Sequence, residues 1–334
     1  MAHILAVTTP FFALVLLGWA VVRMRWLPQE VIPGLNGYVL FFALPCMLFR
    51  FSATTPITQL LDPSVVTVYL GCAMARVALA VASARRAGVG WNDASFGALV
   101  AAFPNSGFMG VPLLVALLGA GAAAPVIVAL AIDMVVTTSL CIALSRLGAA
   151  GTGDAGAAVA RALRGMLANP LPWAILLGTL SSAFTLTPPA PLMRTVDMLA
   201  ASASPVALFA LGCMLARAQR AAAPTGPAAG GLTRIVASKL LLHPLLVWMA
   251  GRLAMAAGLP LDPFAAAVLV LVAALPSASN VPILAERFRA DAGLLARVVL
   301  ISTIGAFVSF TVAVAWVDAH TLAPAAASTP GPVR

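Results

Sequence analysis

Apolar positions run in long stretches along the chain, and the polar positions gather between them. A helix needs about 20 apolar residues to cross a bilayer core about 30 Å thick. That length divides the chain into ten candidate spans. The first five are Ile4 to Val22, Ile32 to Phe49, Ser64 to Ser83, Ala94 to Leu118 and Ala122 to Leu144. The second five are Asn169 to Phe184, Val196 to Ala216, Ile235 to Leu253, Pro263 to Leu284 and Leu294 to Val317. The sixth is short, and the fourth and ninth are interrupted. The pattern predicts an all-α integral membrane protein of ten transmembrane helices.

Composition removes the alternatives. Of 334 residues, 62% are hydrophobic and 9% charged, against about 45–50% and about 25% in soluble domains. A mean hydropathy of +1.05 excludes a soluble domain, a disordered chain and a collagen-like repeat. Cys46, Cys72, Cys141 and Cys213 each stand singly in an apolar stretch. They read as buried small hydrophobes, with no disulfide framework and no metal site expected.

Charge sets the orientation. Met1 to His3 carries no Lys or Arg, while Arg23 and Arg25 follow the first apolar run, which suits an uncleaved first helix with its N-terminus outside. The inside segments then hold most of the arginines, Arg85, Arg86, Arg146, Arg161 and Arg164 among them. Outside segments hold only Arg50, Arg194, Arg252 and Arg334. This is a positive-inside pattern, with both termini on the outer, periplasmic face if the membrane is a bacterial inner membrane. The formal net charge of +9 is therefore topology, and no nucleic-acid partner is expected.

The two interruptions resemble each other. Span four reads Ala101-Ala102-Phe103-Pro104-Asn105-Ser106-Gly107, with Gly110-Val111-Pro112 following. Span nine reads Ala273-Ala274-Leu275-Pro276-Ser277-Ala278-Ser279-Asn280-Val281-Pro282. Their first prolines lie about half the chain length apart. A weaker echo pairs Leu44-Pro45-Cys46-Met47-Leu48 with Leu211-Gly212-Cys213-Met214-Leu215. Each half has five crossings, an odd number, so the second half must run opposite to the first, as in the inverted repeats of secondary transporters. The expected division is residues 1–145 and 169–317 as the two repeats, with a cytoplasmic linker at 146–168 and a disordered tail at 318–334. The linker has a candidate amphipathic helix from Ala157 to Leu167, and Gln219 to Gly231 reads as a second inside loop.

Paired prolines break a membrane helix, and broken backbone is tolerated only inside protein or beside a water-filled cavity. Pro104, Pro112, Pro276 and Pro282 are the predicted breaks, with Pro112 and Pro282 suited to the first turn of a new half-helix. Asn105, Ser106, Gly107, Ser277, Ser279 and Asn280 supply polar groups and close backbone approach there. A half-helix N-terminus attracts anions, so these residues are the candidate site for a small carboxylate. Gly107 and Gly110 also fit a plain helix-packing role.

Four ionisable residues stand inside spans, where a charge costs at least about 2.5–3.5 kcal/mol. Asp133 reads either as a proton carrier or as a partner of Arg76, and Arg76 either as an attractor of the anion or as that partner. Lys239 can snorkel toward the inside surface or share a helix face with His243. His243 reads as a hydrogen-bonded packing residue ahead of a proton-transfer group. Phe11, Phe12, Phe41 and Phe42 read as lipid-facing or packing surface.

The span-four sequence from Phe103 to Gly119, its partner from Ala274 to Phe288 and the ten-span layout resemble the auxin efflux carrier family, over about Ile4 to Val317. The resemblance implies two inverted five-helix repeats and a scaffold domain. It also implies a transport domain whose fourth and ninth helices cross and move as an elevator, similar to the bile acid:sodium symporter fold. Plant members carry a long central loop and Asn-Pro-Asn at the first crossover. The short linker here, with Phe103-Pro104-Asn105-Ser106, resembles bacterial members that move malonate or other small carboxylates.

The expected function is a secondary efflux carrier of small organic anions, driven by a proton gradient or the membrane potential. The rivals are a sodium-coupled uptake symporter of the related fold and a channel-like facilitator. Isolated histidines and unpaired carboxylates argue against an intramembrane enzyme, so no catalytic residue, metal or cofactor is expected. Expected partners are the anion, a proton ahead of sodium, the lipid bilayer and a second copy of the chain in a homodimer.

Overall fold

The computed structural model describes residues 2–147, 169–186, 188–219 and 227–317. The expected linker helix Ala157 to Leu167, the linker beyond residue 147, the tail 318–334 and part of the loop Gln219 to Gly231 lie outside the described residues.

Among the described residues the elements are all helices, and helix fills each of the ten apolar stretches. They are α1 (Ala2–Arg23), α2 (Val31–Thr54), α3 (Pro63–Arg86), α4 (Trp91–Ala102), α5 (Ser106–Leu118), α6 (Ala120–Ser145), α7 (Pro170–Ala183), α8 (Ala190–Ala218), α9 (Gly231–Ala256), α10 (Pro263–Ala274), α11 (Val281–Arg287) and α12 (Ala292–Val317). Seven stretches, built on α1, α2, α3, α6, α8, α9 and α12, are long and apolar enough to cross a membrane as single helices. The fourth and ninth stretches are each split in two, and the sixth forms a helix of 14 residues.

Helix starts follow from local chemistry. Asp62 and Asp262 each precede a proline and accept hydrogen bonds from first-turn amides, Ser64 N and Val65 N in one case and Ala265 N in the other. Asn169 before Pro170 does the same for Leu171 N. An oxygen acceptor at the cap with proline just inside satisfies one orphan amide and removes another.

Three of the internal prolines follow a widened turn. Val39–Ala43, Ser106–Gly110 and Ser238–Leu242 are π-helical turns, and each ends two residues before a proline, Pro45, Pro112 and Pro244. Proline cannot donate to the carbonyl four residues back and crowds it; the wider turn gives that carbonyl room. Pro112 stands in the first turn of the α-helical stretch Val111–Leu118, with the π-turn leading into it. Pro112 is the second residue of that stretch and Pro282 the second residue of α11, as expected of both.

Packing sorts the helices into two groups. In one, α1 lies along α8, α7 along α2, and α2 against α8. In the other, α3 packs on α4, α9 on α10, α4 and α10 on the last helices of their halves, α6 and α12, and α11 on α12. Small residues set the closest approaches of the first group. A Cβ on Gly18 would meet the backbone carbonyl of Phe209, one on Gly212 the backbone carbonyl of Val15, and one on Gly178 would stand 2.6 Å from Phe49 O. The Arg50–Asp197 pair, 3.8 Å apart, bridges α2 and α8 at the surface and adds little there. Phe41 and Phe42 are exposed, on a face suited to lipid.

Candidate functional site

The two interruptions meet. Helix α4 stops at Ala102 and α10 at Ala274 because Pro104 and Pro276 follow, and α5 and α11 resume after Asn105 and Asn280. Asn105 N donates to Pro276 O at 2.8 Å, and Ala278 N donates to Phe103 O at 3.0 Å. Pro104 and Ser277 thereby face each other as an isolated antiparallel pair. Each break supplies a backbone partner to the other, which helps non-helical chain to lie buried.

The side chains at this junction are less well satisfied. Asn105, Ser106, Ser277 and Ser279 are buried, whereas Asn280 is exposed. Asn105 Nδ2, Ser277 Oγ and Ser279 Oγ are shut off from solvent without a protein hydrogen-bond partner. Ser106 Oγ reaches only Pro104 O, at 3.4 Å. An unpartnered buried polar group costs about 1–3 kcal/mol, so a cluster of them at one junction points to a ligand. A Cβ on Gly110 would stand 2.8 Å from the Leu275 side chain of the second break, which would have to shift; Gly107 has room, its nearest neighbour being Leu130 at 3.7 Å.

A residue outside the predicted set completes the junction. Ser302 of α12 accepts a hydrogen bond from Ser277 N at 3.2 Å and donates to Val299 O at 3.1 Å. Its only sequence signal is a Ser302-Thr303 pair in the middle of a span that also carries Arg297, Ser309 and Thr311.

The buried ionisable residues form a different arrangement from the one the sequence suggested. Asp133 does not pair with Arg76. Its Oδ2 accepts from Tyr69 OH at 2.6 Å and its Oδ1 from Thr137 Oγ1 at 3.0 Å. Arg76 Nη2 donates instead to Ser238 Oγ at 2.7 Å, and its Nε has no partner. Lys239 does not snorkel: it is 0% exposed, with Nζ donating to Ala273 O at 3.0 Å and lying 3.0 Å from His243 Nδ1. His243 is hydrogen-bonded, as expected of a packing residue, although its Nε2 has no partner. These partners sit on α3, α6, α9 and α10, so each helix-lining charge is answered by a neighbouring helix rather than by another charge.

Removing the Tyr69 hydroxyl tests how much the carboxylate depends on it. Tyr69→Phe is expected to lower stability by about 1.5–3 kcal/mol, the range for a hydrogen bond to a charged group. Thermal unfolding in detergent measures this, and an unchanged midpoint would mean that the bond contributes nothing.

Broken, paired helices within an apolar helical bundle are typical of inverted-repeat carriers, and sequence comparison points the same way. A family model described as membrane transport protein matches residues 3–154 and 157–314. The chain belongs to this family, that of the auxin efflux carriers. A family relative in Rhizobium meliloti (strain 1021), bearing the name "Putative malonate transporter", is 30% identical over 308 residues, 91% of this chain and 92% of its own. Membership makes the protein an integral membrane transporter, and puts the paired breaks and their unsatisfied polar groups within a transport protein.

Proposed function

We propose that the chain is a secondary carrier of small carboxylates, with malonate as the leading substrate. The observation that carries the reading is the buried junction where Asn105 Nδ2, Ser277 Oγ and Ser279 Oγ have no protein partner. All three can donate to a carboxylate, and hydrogen bonds to a charged acceptor are the stronger kind. The name of the Rhizobium meliloti relative favours malonate within that class.

The carrier has ten crossings in two inverted repeats, 1–145 and 169–317. Packing supports this, because the contacts exchange between halves. The α1–α8 contact matches α7–α2, and α3–α4 matches α9–α10. Gly18 and Gly178 serve the first pair of contacts alike. The group built on α1, α2, α7 and α8 acts as the scaffold, and the group holding both breaks moves against it as an elevator. Both termini face outside, a reading that the arginine distribution supports, and net movement is outward. An interior-negative potential favours anion exit by about 2.3 kcal/mol per unit charge per 100 mV.

Radiolabelled malonate counterflow in proteoliposomes tests the reading: saturable counterflow, suppressed by excess unlabelled malonate, is the expected result. Linear, non-saturating flux would replace the carrier with a facilitator. Absence of counterflow in folded protein would reject malonate. Asp133 is the proposed proton carrier; Asp133→Asn is expected to flatten the pH dependence of counterflow, and an unchanged profile would remove that role.

A further inference from the structure

Two buried side chains have no part in the reading above. Arg76 is 1% exposed, and its guanidinium makes one hydrogen bond, to Ser238 Oγ at 2.7 Å; its Nε is shut off from solvent without a partner. His243 is also 1% exposed, and its Nε2 is unpartnered. The Lys239 ammonium, 3.0 Å from His243 Nδ1, has only hydrogens to offer. Nδ1 therefore accepts, which assigns the ring hydrogen to Nε2. Both orphaned atoms are N–H donors.

They stand in one seam, between α3 and α9. Tyr69, Cys72 and Arg76 recur at helical spacing on a buried face of α3, and α9 packs against that helix. Arg76 is level with Ser238, and Cys72 Sγ approaches Leu246 O at 4.0 Å, so His243 lies between those two levels. The field of Arg76 reaches it. Charge in the seam does not balance. Asp133 is the carboxylate whose field reaches Lys239, and no carboxylate field acts on Arg76. Among the described residues Arg76 forms no ion pair. Two cations against one carboxylate leave a single positive charge. A guanidinium cannot shed its proton, and a buried charge without a counter-charge is strongly unfavourable.

We infer that the seam between α3 and α9 is a binding site for a small monovalent anion of chloride size, held by Arg76 Nε and His243 Nε2. One negative charge neutralises the seam, and an anion accepts from both orphaned donors. The site is separate from the junction of the breaks, whose free donors are Asn105, Ser277 and Ser279. Helix α3 packs on α4 and α9 on α10, so the anion ties together the two broken-helix units. The inference does not depend on malonate being the substrate.

The test is thermal unfolding in detergent while sodium chloride replaces sodium gluconate, a bulkier anion, at constant ionic strength. The native midpoint is expected to rise saturably with chloride, by about 5 °C at a hundredfold excess over half-saturation, because a ligand of the folded state stabilises it. Arg76→Gln keeps a donor for Ser238 Oγ and removes the charge. Its midpoint is expected to ignore chloride and, in gluconate, to equal or exceed the native one. An arginine with a purely structural role would give a lower midpoint in both salts. Native crystals grown in bromide are expected to show an anomalous peak between Arg76 and His243. Malonate added in gluconate is expected to raise the native and Arg76→Gln midpoints alike, since it binds elsewhere.

Four results overturn the inference. One is a native midpoint that is the same in chloride and gluconate, an arm that needs no variant. Another is folded Arg76→Gln that responds to chloride as the native protein does. The third is bromide at the breaks instead of in the seam, which decides the matter if Arg76→Gln does not fold. The fourth is a malonate shift lost in Arg76→Gln, which would put Arg76 in the substrate site. A native midpoint that malonate leaves unmoved counts against the substrate reading alone, and chloride and bromide still decide the anion site.

Discussion

Asn105→Ala is expected to weaken malonate binding by about 10- to 100-fold while leaving the unfolding midpoint unchanged or slightly raised. The two halves of this expectation come from the same atom. Asn105 Nδ2 is buried without a protein partner, so deleting it removes no hydrogen bond from the folded protein and relieves a desolvated donor. A donor to a carboxylate contributes about 1.5–3 kcal/mol, and each 1.4 kcal/mol is tenfold in affinity. The half-saturating malonate concentration in counterflow, read beside thermal unfolding, separates this from a structural role. A large fall in midpoint would make Asn105 a scaffold residue, and unchanged affinity would move the substrate site away from the junction. Asn280 stands at the corresponding cap of α11 but is exposed. Its replacement by Ala is expected to cost less, because water already competes for that side chain. Ser302→Ala should show the opposite signature: it strands Ser277 N, so stability falls by about 1 kcal/mol with only a secondary change in affinity.

The largest loss of stability is expected from Gly212→Leu. A Cβ at this position would run into the backbone carbonyl of Val15 and stand 2.8 Å from Trp19 N. The obstacle is backbone, which cannot rotate aside as a side chain can, so α1 and α8 must separate. Between membrane helices, association depends on close packing of small residues. Overpacking costs about 1–3 kcal/mol when neighbours can adjust, and here they cannot. A loss of about 3 kcal/mol lowers the midpoint by roughly 6–12 °C on the usual scaling for chains of a few hundred residues. Gly37→Ala is the control, since no atom lies within 4 Å of its Cβ position and its φ is ordinary. Equal midpoints for the two variants would mean that the α1–α8 contact is not a determinant of stability.

The helices themselves were legible because their causes are local. Apolar runs of membrane-spanning length, Asp-Pro and Asn-Pro starts at Asp62, Asn169 and Asp262, and proline breaks at Pro104 and Pro276 act within a few residues of where they stand. The polar groups of the candidate site were legible for the same reason, since small polar residues stand beside a break in an otherwise apolar stretch. The repeated break motif also singled out one place in each half. Ser302 escaped because a lone serine in a membrane helix ordinarily bonds its own helix backbone, as Ser302 also does with Val299 O.

What the sequence by itself determined is therefore the membrane class, the helical stretches and the location of the two breaks. Only the tertiary structure decided that Phe103 and Asn105 pair with Ala278 and Pro276, that Asp133 answers Tyr69 instead of Arg76, and that Lys239 turns inward to Ala273. The physical reason lies in the spans. Helix α10, and α4 from Phe96 onward, are apolar all round and almost wholly buried, so they have no polar stripe to announce which face meets which neighbour. A charge inside such a helix signals that it needs a partner. Which partner it finds depends on rotations and depths set by packing between helices distant in sequence.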